Sequence, residues 1–247
     1  MKPYIPQILY EDNHLLIVDK PSGMLTQADA SGQLSLLEHL KDHIKIRDHK
    51  PGNVYLGMVQ RLDKPVSGII VFAKTSKAAA RISAQIRARQ MVKCYLAVTE
   101  AHADRQKHAD IDTGGWRMVS HKLSRIRDKT MVDAGSERAQ VARLRFKTLY
   151  ESTRFGIHAV QLITGRKHQI RAQLSALAMP ILGDRTYGSA FQPRSERILL
   201  HSYLVQFLHP TRKTRVKVRC SPSEHFLSIF TEQERDKIDS ALDTLSF

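Results

Sequence analysis

The sequence predicts an α+β fold, a largely antiparallel mixed sheet with inserted helices, in one domain that spans residues 1–247. Three observations lead to this prediction. Strand-like apolar runs outnumber helical patterns, most of these runs are joined by short turns, and no repeat, low-complexity tract or linker divides the chain. Strands joined by short turns pair antiparallel, and a sheet built in this way buries a face against helices.

The predicted strands are short runs of apolar and β-branched residues bounded by turn residues. The first two form a hairpin around 11–13, and the last two form a hairpin around 209–211. In 142–147 apolar residues alternate with cations, which predicts one buried face and one basic face. The predicted strands cover 8–10, 14–18, 54–59, 68–73, 93–98, 142–147, 156–163, 203–208 and 215–219.

Four helices are predicted from apolar residues at helical spacing and from capping residues. They cover 33–47, a segment from Thr75 or Ser76 to about Arg89, a segment from Thr164 to Pro180, and a terminal helix from Thr231. Residues 101–132 are polar and basic with few apolar runs, so we expect an irregular excursion over the surface.

The composition favours a polyanionic partner. Of the 247 residues 42% are hydrophobic, which is enough for a sizeable core. Lys and Arg number 39 against 24 Asp and Glu, which gives a net charge of +15 and a pI near 10.0. This balance attracts phosphate backbones and makes binding salt-dependent, so the expected partner is a nucleic acid.

Other partners and compartments are not indicated. No apolar run approaches the length of a bilayer span, and the N-terminus lacks the apolar core of a signal peptide, so no membrane association is expected. Cys94 and Cys220 are too few for a disulfide framework, which favours a reduced, cytoplasmic compartment. No oligomerisation signal stands out, and a monomer is expected.

The most informative stretch is 60–68, QRLDKPVSG, which leads into an apolar strand. Pro65 fixes φ, and Gly68 permits a turn or a close backbone approach. Asp63 stands between the cations Arg61 and Lys64, and nearby positive charge favours the ionised form of a carboxylate. An ionised carboxylate on a stiff loop suits a nucleophile or a base, although a turn aspartate that hydrogen-bonds its own loop has the same pattern.

Four segments resemble the RluA-type pseudouridine synthases and follow one another along the chain in the order that this family shows. The resemblance covers nearly the whole chain. The resemblance implies the catalytic-domain fold of that family, a small member without the separate N-terminal RNA-binding module, and isomerisation of specific uridines in structured RNA (ribosomal RNA, transfer RNA or both). The segments are 8–23 (ILYEDNHLLIVDKPSG), 60–68, 93–98 (KCYLAV), and 164–171 (TGRKHQIR) continuing through Gly183-Asp184 to Tyr187-Gly188.

The resemblance assigns a catalytic role to Asp63, Arg171 and Tyr95. Asp63 acts as a nucleophile or as a base, and Arg171 offers a planar fork that pairs with it. Tyr95 stacks on the extracted uracil or moves a proton. From the residues alone, Arg171 could equally contact phosphate or lie on a solvated helix face, and Tyr95 could be an ordinary core tyrosine.

The resemblance also implies RNA contacts. Arg61 is expected to enter the RNA helix and fill the gap left by a flipped uridine, which costs a few kcal/mol to extrude. Gln60, Arg166 and His168 are assigned to RNA binding, with further basic surface at 117–129 and 212–219. The reaction exchanges no group with an outside molecule, so no cofactor and no metal are expected. Gln60 replaces a usual histidine and Val66 a usual threonine, which puts in doubt how the groups around the site are arranged.

Two rival functions remain at the level of sequence. A non-catalytic RNA-binding or ribosome-assembly factor would share the basic charge, but it has no need of a carboxylate at its RNA face. A metal-dependent nuclease would require clustered carboxylates, whereas this loop offers one flanked by cations. His39 and His43 are spaced for a shared metal, but no third ligand is evident, and a solvated helix face explains them better.

Overall fold

The computed structural model describes residues 6–30, 32–100, 115–127, 129–133, 135–191 and 198–246. The α+β fold class is confirmed, with strands that are largely antiparallel. The elements, in chain order, are β1 (Ile8–Glu11), β2 (Leu15–Lys20), α1 (Leu36–Arg47), β3 (Gly57–Met58), β4 (Ser67–Ala73), α2 (Ser76–Arg87), β5 (Val92–Glu100), β6 (Arg117–Ile126), β7 (Lys129–Val132), β8 (Gln140–Glu151), β9 (Phe155–Leu162), α3 (Gln169–Ala176), β10 (Leu200–Leu208), β11 (Arg215–Arg219), α4 (Glu224–Leu227) and α5 (Glu232–Asp243).

The chain divides into two compact units. Unit 1 comprises Met1–Met91 and Ser202–Ser221, and unit 2 comprises Val92–His201 and Pro222–Phe247. In unit 1 the strands are hydrogen-bonded in the order β1-β2-β4-β10, with β3 on β4 and β11 on β10. The antiparallel register of β2 and β4 places Lys20 opposite Gly68, at the point where the 60–68 loop enters β4.

One buried core cluster of unit 1 lies against one face of these strands. Helix α2 begins after its predicted cap, Thr75, whose side chain accepts from Ala78 N, and it contributes Ile82 to the core. Burial of each such aliphatic side chain stabilises the fold by about 1.5–3 kcal/mol. The other buried members come from β2, β4, β10, β11 and their flanks: Leu15, Ile17, Ile69, Val71, Met91, Val205, Phe207, Val216, Val218 and Cys220.

Unit 2 is built on five antiparallel strands in the order β5-β9-β8-β6-β7. The alternation predicted for 142–147 is confirmed, because Ala142, Leu144 and Phe146 are buried between more exposed cations. Ala142 belongs to a buried cluster with Leu123 of β6 and Ala172 of α3. Helix α5 begins with the predicted capping box of Thr231 and Glu234.

Two predictions about unit 2 are wrong. The irregular excursion predicted for 101–132 includes the hairpin of β6 and β7, whose pairing runs from Leu123 opposite Val132 to Ile126 opposite Lys129; residues 101–114 lie outside the described part of the chain. The predicted cap Thr164 does not start α3. Its hydroxyl accepts from Arg143 N at 2.8 Å on β8, and the helix begins after His168.

The other predicted helices and strands are confirmed, with shifted ends. Helix α1 begins three residues later than expected, after Ser35, and the strand expected over 54–59 is reduced to the two residues of β3. Both predicted hairpins are present. None of the described helices is both long enough and apolar enough to cross a bilayer.

Candidate active site

The loop that carries Asp63 is held in shape where it enters β4. Val66 N donates to Asp63 O at 3.0 Å and closes a tight turn over Pro65. Gly68 has φ +104°, and a Cβ built there would lie 2.4 Å from Ser202 O. Only glycine combines this conformation with so close an approach of two backbones. Asp63 is therefore fixed on its C-terminal side, while its own side chain stays partly exposed.

A buried lysine also forms hydrogen bonds that hold this loop. Lys20, at the end of β2, has no exposed surface. Its ammonium donates to the carbonyls of Pro21 at 2.9 Å, Met24 at 2.8 Å and Lys64 at 3.1 Å. These bonds join the segment after β2 to the residue that follows Asp63.

Three further hydrogen bonds tie this segment to the Asp63 loop. Ser22 Oγ donates to Pro65 O at 2.6 Å, and Gly23 N donates to Lys64 O at 2.9 Å. Thr26 Oγ1 donates to Leu62 O at 2.8 Å. The backbone carbonyls on both sides of Asp63 are thus bound by residues 20–26, so the backbone that carries the carboxylate is fixed within the protein itself.

The electrostatics of Lys20 and Asp63 are linked. Burial lowers the pKa of Lys20 to about 7, and the charge of Asp63 acts in the opposite direction by raising it.

In unit 2, Arg171 is buried in the first turn of α3, with 6% of its surface exposed. Its Nε donates to Asp184 Oδ2 at 2.7 Å and its Nη2 donates to Asp184 Oδ1 at 2.8 Å. The guanidinium carbon lies 4.8 Å from the centre of the Tyr187 ring. A bidentate ion pair and a stacked ring together fix the plane of the guanidinium.

Tyr187 is itself anchored on two sides. Thr130 N on β7 donates to its hydroxyl at 3.0 Å, and that hydroxyl lies 3.0 Å from His168 Nδ1. Ser175 Oγ on α3 donates to its carbonyl at 2.6 Å. Burial raises the pKa of Tyr187, so the hydroxyl stays protonated at neutral pH. We call Arg171, Asp184, Tyr187 and His168 the arginine anchor.

Tyr95 lies on β5 opposite Val160 of β9 and is 7% exposed. Lys93 is two residues earlier, so the two side chains share one face of the strand. Burial lowers the pKa of Lys93. A Cβ at Gly165 would lie 3.3 Å from Lys93 Nζ, which places this face of β5 beside the segment that leads to Arg171.

The sequence-predicted residues thus fall into two groups. Gln60, Arg61 and Asp63 lie on one loop of unit 1, where Arg61 is exposed. Tyr95, Arg166, His168 and Arg171 lie in unit 2; Arg166 is exposed, and His168 takes the left-handed conformation at φ 53°.

Sequence reasoning missed three residues of structural importance to these groups. Lys20, Asp184 and Tyr187 all stood in the quoted motifs, without an assigned role. The spacing of charge could not reveal the roles, because each of these side chains has at least one partner that is 13 or more residues away in sequence, such as Lys64 for Lys20 and Arg171 for Asp184. Among the residues that the structure describes, no group of three His, Cys, Asp or Glu is placed to hold a metal ion.

Comparison with known proteins gives the class. Residues 14–176, which include Asp63, Tyr95 and Arg171, match the family of RNA pseudouridylate synthases. The tRNA pseudouridine synthase C of Haemophilus ducreyi is 28% identical over 243 residues, which cover 91% of this chain and 94% of that protein. The ribosomal large subunit pseudouridine synthase D of Pseudomonas aeruginosa is 31% identical, over 94% of this chain and 72% of that protein.

A solved structure agrees at the level of the fold. Human RNA pseudouridylate synthase domain containing 4 superposes with a TM-score of 0.70 at 24% identity, over 94% of this chain and 93% of that one. The protein is an RNA-modifying isomerase. More narrowly, the chain belongs to the RNA pseudouridylate synthase family, which converts uridine to pseudouridine, and the resemblance to RluA-type enzymes is confirmed.

Proposed function

We propose that this enzyme modifies uridines in ribosomal or transfer RNA, with Asp63 as the essential catalytic carboxylate. The observation that carries the proposal is the binding of the Leu62, Lys64 and Pro65 carbonyls by residues 20–26. A loop carboxylate fixed in this way suits a reacting group better than an adaptable surface contact. The names of the relatives support both kinds of RNA, since one acts on tRNA and another on the large ribosomal subunit.

Asp63, Arg171 and Tyr95 act on the same uridine in this proposal. The guanidinium of Arg171 carries five N–H donors, so its two bonds to Asp184 are compatible with a second carboxylate partner. Tyr95 stacks on the extracted uracil, and Asp63 attacks the sugar or base or removes a ribose proton. The bond between the ribose and a uracil nitrogen breaks, and a bond between the ribose and a uracil carbon forms. Product and substrate contain the same atoms, so the reaction requires no cofactor or metal.

The residues proposed to contact RNA also come from both units. Arg61, beside Asp63, occupies the space of the flipped uridine and offsets part of the cost of extrusion, and Gln60 also binds the RNA. Arg166 and His168 bind the backbone near Arg171. The two units act together as one catalytic domain, and the enzyme works as a monomer in the cytoplasm on RNA alone.

The test is pseudouridine formation in uridine-labelled total RNA from cells that lack the protein, with wild type and Asp63→Asn compared. We expect product from the wild type and none from the variant, which should bind RNA as tightly as the wild type. Equal product from both would remove Asp63 from the reaction. Absence of product from both, with RNA bound equally, would favour a binding or assembly factor.

A further inference from the structure

Unit 2 contains a pocket of about 300 Å³ outside the groups assigned to catalysis. It lies between the β6–β7 hairpin, the start of β8 and the segment that precedes α3. Four cations from three separate stretches of chain converge on it: Arg125, Arg138, Arg166 and Lys167. We call it the basic pocket.

Among the described residues that line this pocket, positive charge is in excess. None of the described residues that line it is an aspartate or glutamate. Asp133 lies beside it, but its carboxylate already accepts from Ser124 Oγ at 2.8 Å and from the backbone N–H of Gly135 and Ser136 at 3.1 Å each. Four like charges facing one cavity repel one another, and a bound anion relieves that repulsion.

The lining indicates a phosphate ligand rather than a base. Beside the cations stand the side chains of Thr130 and Gln140, which can donate to phosphate oxygens. Guanidinium groups match phosphate geometry through paired N–H donors. No aromatic ring is found among the described lining residues, so the described lining offers no aromatic platform for a base.

The pocket is also linked to the arginine anchor. Thr130 lines the pocket, and its backbone N–H donates to the hydroxyl of Tyr187, whose ring stacks on Arg171. A ligand in the pocket therefore rests on the strand that holds the predicted catalytic arginine in place.

We infer that the basic pocket binds a phosphodiester of the substrate RNA backbone and so sets the register of the RNA relative to Arg171. This inference rests on the proposed function for its choice of RNA as the source of the phosphate. The pocket adds affinity and alignment, and it takes no part in breaking or forming bonds at the uridine.

The test compares two double variants. Arg125→Gln with Arg138→Gln removes two pocket cations that lie away from Tyr187. Arg154→Gln with Lys237→Gln is the matched control. Arg154 lies in the turn beyond the opposite end of the twelve-residue β8, about 35 Å from the pocket end. Lys237 Nζ lies 5.9 Å from the centre of the Tyr150 ring, near that same far end of β8. Binding of a fluorescent uridine-containing RNA stem-loop is measured by anisotropy at several salt concentrations, and pseudouridine formation is followed in the same RNA.

We expect the pocket variant to bind the stem-loop about tenfold to a hundredfold more weakly. We also expect the slope of log affinity against log salt to become shallower by about 1 to 2, because phosphate contacts are lost. The control variant should change affinity less than about threefold. Equal losses in both variants would overturn the inference, because general charge would then explain the binding.

A second measurement separates RNA from a small anion. Inorganic phosphate and ATP are titrated into wild type and pocket variant by calorimetry. If the pocket variant loses ATP or phosphate binding but binds RNA as the wild type does, the pocket is a small-anion site and the inference is wrong. If the pocket variant alone loses RNA affinity while the wild type forms no pseudouridine, the pocket assignment stands and the proposed function fails.

Discussion

The loop of Asp63 and the helix of Arg171 are held in place by different means. Around Asp63 the structure binds backbone carbonyls, and the donors are Lys20, Ser22, Gly23 and Thr26. Around Arg171 it binds the side chain itself, through the paired carboxylate of Asp184 and the ring of Tyr187. In the Asp63 loop the hydrogen bonds hold the backbone, whereas at Arg171 the contacts hold the guanidinium itself.

This difference shows where each region tolerates change. A loop fixed through its carbonyls depends on backbone conformation, so its sensitive positions are those that permit the conformation or supply a donor. A buried charged side chain depends on the charge of its partner, because removal of one member leaves the other desolvated without compensation. The same size of substitution should therefore have different effects in the two regions.

The largest effect on stability is expected for Asp184→Asn. The change keeps the shape but removes the negative charge from a carboxylate that is 1% exposed and paired with Arg171. Breaking a buried pair of this kind costs about 3–5 kcal/mol in the free energy of unfolding, measured by urea denaturation. Asp48→Asn is the control, since Asp48 pairs with Arg47 at the surface, and it should leave the midpoint nearly unchanged.

A somewhat smaller loss is expected for Gly68→Ala. The new Cβ would lie 2.4 Å from Ser202 O and 2.6 Å from Ser202 N, in a residue with φ +104°. Strain and overpacking together should lower the free energy of unfolding by about 3 kcal/mol. Gly23→Ala offers the contrast, with φ +87° and no atom within 4 Å of the new Cβ. It should cost only about 1 kcal/mol, and equal losses at both glycines would argue against the close approach.

The last prediction concerns the change in stability per unit of pH, which is smaller than the loss expected for Gly68→Ala. Lys20, with a pKa lowered to about 7 by burial, loses its proton in the folded chain well before it does in the unfolded chain. Between about pH 7 and pH 10 the unfolded state binds more protons, so the free energy of unfolding rises with pH by at most about 1.4 kcal/mol per unit. The ¹³Cε resonance of Lys20 should titrate near pH 7, and Lys20→Met should remove that part of the slope. A resonance that titrates near pH 10 would contradict this picture.

Much of the fold follows from local pattern. The buried strands β2 and β4, the capping box at Thr231 and the alternation at 142–147 are each encoded within a few residues. The β6–β7 hairpin was missed because its buried face shows in sequence only as single apolar residues, such as Val119 and Leu123, among cations. Thr164 is a residue type that often caps helices, but here its hydroxyl accepts a hydrogen bond from Arg143 N of β8.

The sequence proposes which groups react in the candidate site, but it does not indicate which residues support them. Asp63, Tyr95 and Arg171 belong to motifs that family resemblance reveals. The sequence assigns no role to Lys20, and only the fold shows its ammonium among three carbonyls. Asp184 follows Arg171 by thirteen residues, and no local rule links a helix arginine to an aspartate in a later turn.

The central claim is that these two differently held regions serve one uridine. It is tested most directly by a double-mutant cycle with Asp63→Glu, Arg171→Lys and both together, measured as single-turnover rates of pseudouridine formation at saturating RNA. Groups that act as a unit are not additive, so we predict that the double variant is at least about tenfold faster than the product of the two single losses implies. Losses that multiply would mean that Asp63 and Arg171 contribute independently, which would contradict the account.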